Sequence, residues 1–124
     1  MIEFLAVALG GALGAMLRYA TSLLALKWFG AGFPIATLMV NCAGSFAMGA
    51  LYTLSLAVTV SPLWKGLIGV GFLGALTTFS TFSNETLLLM QEGLHWKALL
   101  NVLLNVGLCL FMVYLGQQWM ASQQ

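Results

Sequence analysis

Four apolar segments, joined by links too short to hold a domain, leave this chain few ways to fold. They run from about Phe4 to Leu26, Pro34 to Val58, Leu63 to Met90 and Ala98 to Trp119. Each reaches or exceeds the about 20 apolar residues that carry a helix across a hydrocarbon core. The links KWFGAGF, TVSP and QEGLHWK make consecutive spans antiparallel neighbours. Charged residues are 6% of the chain and hydrophobic ones 61%, where a soluble domain carries about 25% charge. The expected fold is therefore all-α and integral to a cell membrane, a single four-helix domain over residues 1–124. The N-terminus lacks a basic region and a small-residue cleavage site, so the first segment reads as a retained span.

Charge and composition remove several functions. A net charge of +1 offers no basic patch for nucleic acid. Cys42 and Cys109 lie inside apolar segments and read as small buried hydrophobes; no His or Cys cluster has metal-ligand spacing. The Ser and Thr residues lack a nearby base, and the one histidine, His95, is in a link, so no catalytic constellation exists. Trp28, Trp64, Trp96 and Trp119 each fall at a span end, the pattern of an interfacial aromatic belt. Orientation is weakly specified. Lys27, His95 and Lys97 lie on one side and Lys65 on the other, which suits either a marginal single orientation or insertion both ways.

The third segment is the anomaly. Its roughly 28 residues would measure about 42 Å as a straight helix, against a core near 30 Å. Gly66, Gly69, Gly71 and Gly74 precede a run of hydroxyls, Thr77-Thr78-Phe79-Ser80-Thr81-Phe82-Ser83. Either the helix tilts or it is interrupted, and the composition favours a break between Gly74 and Thr78. A break at mid-membrane is tolerated only where it lines a cavity or meets an ion. Hydroxyls at that depth need polar partners.

Several residues admit two readings. Arg18, some five residues below the expected interface, either snorkels to the headgroups or provides a fixed positive charge in a vestibule. Asn41 either links helices or donates its amide to a passing anion. Phe79 and Phe82, spaced i, i+3, either pack or present their positive ring edges to an anion. Asn101 and Asn105 form a polar stripe on the fourth span. Glu85 is an interfacial charge or a gate. Gly10 to Gly14 and Ser45 to Gly49 are small-xxx-small pairs that let helices approach. Gly11-Ala12-Leu13-Gly14-Ala15 faintly echoes Gly71-Phe72-Leu73-Gly74-Ala75.

Three motifs then combine: Gly10-Gly11-x-x-Gly14-Ala15-x-x-Arg18-Tyr19, Thr37-Leu38-x-Val40-Asn41-x-x-Gly44-x-Phe46-x-x-Gly49, and Gly71-x-x-Gly74-x-x-Thr77-Thr78-Phe79-Ser80-Thr81-Phe82-Ser83-x-Glu85. Together they resemble the CrcB/Fluc family of fluoride channels, in detail over three spans and in length and span count over the whole chain. The resemblance implies an antiparallel homodimer with two pores along its interface, through which F⁻ leaves passively. It implies that Phe79 and Phe82 line the pores and that Asn41 is a pore donor. Ser80 and Thr81 would belong to a polar track, Asn105 would complete it, and Arg18 would sit near the vestibule. Gly74 and Thr77 would hold a structural Na⁺ on the dimer axis through backbone carbonyls. The implied partners are fluoride, a second copy of the chain and the bilayer.

Two other classes compete. A four-span proton-coupled multidrug exporter would want a carboxylate deep in the first span, and Glu3 is too near the terminus. A non-transporting structural subunit would explain the small-residue pairs but not TTFSTFS.

Overall fold

The computed structural model describes all 124 residues as helices and short links. Four helices are long and apolar enough to cross a membrane: α1, Ile2–Phe29; α2, Ile35–Ala57; α3, Pro62–Gln91; and α4, His95–Ser122. The chain is a multi-pass membrane protein. α1 and α4 run two or three residues past the apolar segments at each end. Hydropathy marks where oil ends, whereas a helix continues while its backbone bonds are made. All four tryptophans lie in terminal turns of these helices and are exposed.

Large apolar side chains cover the outside, among them Phe4, Leu9, Leu24, Leu56 and Leu110. In lipid such a surface carries no penalty. Only 19 of 124 residues are buried, and Val40, Leu73 and Leu76 form a small apolar cluster. Large side chains therefore do little of the joining. Backbones touch instead. Gly10 and Gly14 of α1 face the backbone of Leu67 and Phe72 in α3, and Gly71 faces that of Val7 and Gly10. The two segments that echo one another in sequence are thus the two that pack together. On the other flank Gly49 of α2 faces the Val113 carbonyl, and Gly116 of α4 faces that of Phe46. Close approach through small residues replaces the hydrophobic drive that lipid cannot supply.

This arrangement carries a stability prediction. A methyl at Gly14 would enter the Phe72 carbonyl, whereas one at Gly107 meets nothing. Gly14→Ala should lose about 1–3 kcal/mol through overpacking. Gly107→Ala should be neutral or slightly stabilising. Thermal unfolding of both variants in one detergent checks the contrast; equal midpoints would remove the close-packing account.

Two features shape the ends and the middle of the bundle. The links after α1 and α3 turn at Gly30 (φ 72°) and Gly93 (φ 77°), a left-handed conformation that favours glycine. Lys97 Nζ donates to the Gly32 carbonyl at 3.0 Å, tying these two links together. Within α3, residues Lys65–Leu73 wind with the wider i→i+5 pattern; the Gly74 N–H reaches back to Gly69 O. A second wide stretch, Leu104–Leu108, lies in α4. Such turns leave carbonyls loosely held and cluster at functional sites.

Candidate functional site: a polar knot inside the bundle

Thr77 (φ −83°, ψ 155°) and Thr78 (φ −153°, ψ 122°) have extended dihedrals within α3. Helical winding stops at Leu76 and resumes at Phe79. β-branching and hydroxyl competition make threonine a poor helix interior residue, and two in succession compound the effect. The extended residues are secured from all sides. Thr77 donates its N–H and Oγ1 to Leu73 O, at 3.1 and 2.9 Å. Asn41 grips the Thr78 backbone at both ends: Oδ1 accepts its N–H at 2.8 Å and Nδ2 donates to its carbonyl at 3.1 Å. Thr78 Oγ1 caps the next turn by accepting from the Thr81 N–H at 3.1 Å. Arg18 Nε donates to Ala75 O at 2.9 Å. The carbonyls of Gly74 and Thr77 take part in none of the bonds that bridge this point.

Arg18 stands eleven residues before Phe29, the end of α1, and is tied to α3 by its bond to Ala75 O. A carbonyl freed by the extended residues is a better partner for a guanidinium at this depth than a distant headgroup.

From Asn41 a chain of amides continues through α4. Asn41 Nδ2 also donates to Asn105 Oδ1 at 2.9 Å. Asn105 Nδ2 donates to Asn101 Oδ1 and to Asn101 O, both at 3.0 Å. Asn101 Nδ2 donates to Thr86 Oγ1 at 2.9 Å, which donates to Phe82 O at 2.7 Å. The chain leaves α3 at Thr78, crosses α2 and α4, and returns to α3 at Phe82. Asn101 is fully buried, and no buried side-chain polar atom lacks a partner. A satisfied network of this kind is rigid.

The knot borders two cavities. The first, about 310 Å³, is lined by Asn41, Ser45, Thr77, Thr78, Phe79, Phe82 and Asn105, with Cys109 further along. Phe79 and Phe82 meet edge to face, centroids 5.4 Å apart at 62°. Phe82 is buried at 6% exposure, while Phe79 is 76% exposed. The second cavity, about 340 Å³, takes in Ser22, Thr37, Thr81, Glu85 and Glu92. There the buried Thr37 Oγ1 donates to Glu85 Oε1.

The hydroxyls divide by what their protons do. Thr77, Ser83 and Thr86 donate to carbonyls one turn back. Thr78 Oγ1 donates to Thr81 Oγ1 at 3.1 Å. Thr81 only accepts there, and Ser80 Oγ has a 3.3 Å contact with Thr78 Oγ1 and no carbonyl partner. With the one Thr78 proton spent on Thr81, Ser80 is the donor in the 3.3 Å contact. Thr81 is therefore the hydroxyl with a proton to offer an incoming acceptor, and the exposed Ser80 offers its own only by giving up that long bond. Both Asn41 amide protons are engaged inside the chain, so an acceptor reaches Asn41 only by displacing one of those bonds.

Asn41, Phe79, Phe82, Asn105 and Thr77 gather at the first cavity, Thr81 at the second, and Ser80 is exposed beside them. Gly74 and Arg18 border neither, though Arg18 touches the strand-like residues through Ala75. Thr37 and Asn101 were not singled out as site residues by sequence. Each had a signal: Thr37 lies i, i+4 from Asn41, and Asn101 i, i+4 from Asn105, the spacing of one helix face.

A family model described as CrcB-like protein, Camphor Resistance (CrcB), matches residues 5–117. The chain belongs to the CrcB family. Among CrcB relatives, a protein of Shewanella frigidimarina named fluoride-specific ion channel FluC is 63% identical over 123 residues, 99% of each chain. Proteins of the same name from Shewanella denitrificans and Shewanella piezotolerans are 61% and 63% identical with the same coverage.

Proposed function

We propose that this protein is a fluoride-selective channel that lets F⁻ leave the cell passively and so limits its toxicity. The observation that carries the reading is the uncommitted Thr81 proton at the second cavity, with the weakly held Ser80 proton beside it, next to a T-shaped phenylalanine pair at the first. Fluoride is small and strongly hydrated. A pore must exchange its water for donors, stay too narrow for chloride, and still release the ion. Hydroxyls replace water; positive ring edges touch the anion weakly enough to let it go. Asn41 and Asn105 shape the wall, and Asn41 reaches the ion by exchanging one bond with it. Arg18 adds a fixed positive charge that draws anions toward the vestibule. The names of the FluC relatives support the choice of anion.

In this reading the working unit is an antiparallel homodimer with two pores along its interface. The exposed Phe79 and a cavity at the subunit's flank suit a wall that a second copy completes. The carbonyls of Gly74 and Thr77, left out of the bonds around them, suit a structural Na⁺ on the two-fold axis. Two chains would supply four neutral oxygens at equal depth, without an acidic ligand. When bound, that ion would join the two subunits by charge–dipole attraction.

Fluoride efflux from proteoliposomes, with chloride as control, tests the channel. Rapid, selective fluoride release is expected; chloride release at a similar rate, or none of either, rejects it. Dimer symmetry has its own test. A single cysteine in a terminal tail, in a background lacking Cys42 and Cys109, is exposed to an impermeant thiol reagent in right-side-out cells. About half the chains should react if the near-balanced lysines permit both orientations. Labelling of all or none would end the dual-insertion account, and with it the axial Na⁺ site.

A further inference from the structure

We propose that Cys42 and Cys109 form a two-thiolate site for a soft divalent cation of the mercuric class, closed between α2 and α4 at the wall of the first cavity. The two Sγ atoms lie 3.8 Å apart on different spans, both partly exposed, and Cys109 lines the cavity. Their spacing is fixed by backbone. Cys42 is one turn before Phe46, and Cys109 one turn before Val113. Those are the residues whose carbonyls face Gly116 and Gly49, where the two backbones pack without room for a methyl. The helices cannot slide or separate freely there.

Two thiol chemistries are open to such a pair. A disulfide needs the sulfurs to close from 3.8 Å to about 2.05 Å by rotation of the side chains, and an oxidant to take two electrons. A metal needs no such closure. Two metal–sulfur bonds of about 2.3 Å each reach as far as about 4.6 Å in line, so the observed 3.8 Å is within their span. No third His, Cys, Asp or Glu joins the pair. This excludes four-coordinate zinc and leaves a soft ion content with two thiolates. Charge decides within that class. In the step 2 RSH + M²⁺ → RS–M–SR + 2 H⁺, two S–H bonds break, two S–M bonds form and the complex is neutral. A monovalent ion would leave one negative charge in a low-dielectric interior.

The site has a consequence for the cavity. Asn41 precedes Cys42, and Asn105 is one turn before Cys109. A linear S–M–S unit presses the sulfurs apart and so strains the 2.9 Å Asn41–Asn105 bond. This consequence rests on the channel reading; the metal site does not.

The probe is mercuric chloride on the purified protein. One metal per chain, two protons released and an ultraviolet sulfur-to-metal absorption are expected. Wild type should hold the metal against a monothiol at least about tenfold longer than Cys42→Ser or Cys109→Ser, and yield it to a dithiol. Two metals per wild-type chain, or equal stripping in wild type and both variants, overturns the site. Should a variant fail to fold, the wild-type stoichiometry and proton count decide alone. In proteoliposomes, bound metal should cut fluoride efflux by about tenfold, reversed by a dithiol. Efflux unchanged by bound metal overturns the link to the cavity. Metal binding as described in a protein with no fluoride efflux to begin with supports the site and sinks the channel reading.

Discussion

Phe79→Ile and Phe82→Ile each lower fluoride efflux by about tenfold or more, with the protein still folded. The substitution keeps most of the volume and removes the positive ring edge. The two positions differ in what else they lose. Phe79 is mostly exposed, so its replacement alters stability little and reports on the ion path directly. Phe82 is buried and its carbonyl accepts from Thr86, so Phe82→Ile also loosens packing at the end of the amide chain. The edge-to-face contact at 5.4 Å means that each ring orients the other. Either substitution therefore disturbs both rings, and the double variant should be less than additive. Efflux rates from proteoliposomes, alongside gel-filtration profiles in detergent, check this. Wild-type efflux in both well-folded single variants would remove the rings from the path.

Asn41→Asp is expected to be the most damaging single change, abolishing efflux to within about a hundredth of wild type. The new carboxylate still accepts the Thr78 N–H. It cannot donate to the Thr78 carbonyl or to Asn105 Oδ1, and both lose their partner. Asn105 could turn its amide to meet the carboxylate, but it would then drop Asn101, to which that amide now donates. An unpaired buried polar group costs about 1–3 kcal/mol, more beside a charge. The charge itself repels anions from the cavity wall. Asn41→Ser keeps one donor but is too short to hold both ends of the Thr78 backbone, so its loss should be milder. Efflux measured for both variants separates the roles. If Asp and Ser are tolerated equally, Asn41 is only a link between helices.

The knot around Asn41 shows where sequence reasoning reached and where it stopped. The hydroxyl run announced that polar partners must lie at depth, because nothing else allows so many hydroxyls in an apolar chain. It did not say which hydroxyls would spend their protons on their own helix. Ser83 and Thr86 bond backward to Phe79 and Phe82, while Ser80 and Thr81 do not. The difference depends on rotamers and neighbouring helices, which local spacing does not specify. Arg18 was out of reach of local spacing for a related reason. Its best partner is Ala75 O, a carbonyl made available only because Thr77 and Thr78 are extended.

By itself the sequence determined that this chain spans a membrane four times, because about 20 uncharged residues have no cheaper place than lipid. It determined where the spans end, through tryptophans and links, and which family the chain resembles, through strings that lie within single helices. The tertiary structure decided the pairings. Asn41 with Thr78 and Asn105, Thr37 with Glu85, and Cys42 with Cys109 each join residues more than 35 positions apart. A period of 3.6 residues says which face of a helix a side chain occupies. Only the packing of glycine against backbone says which other face it meets, and at what height.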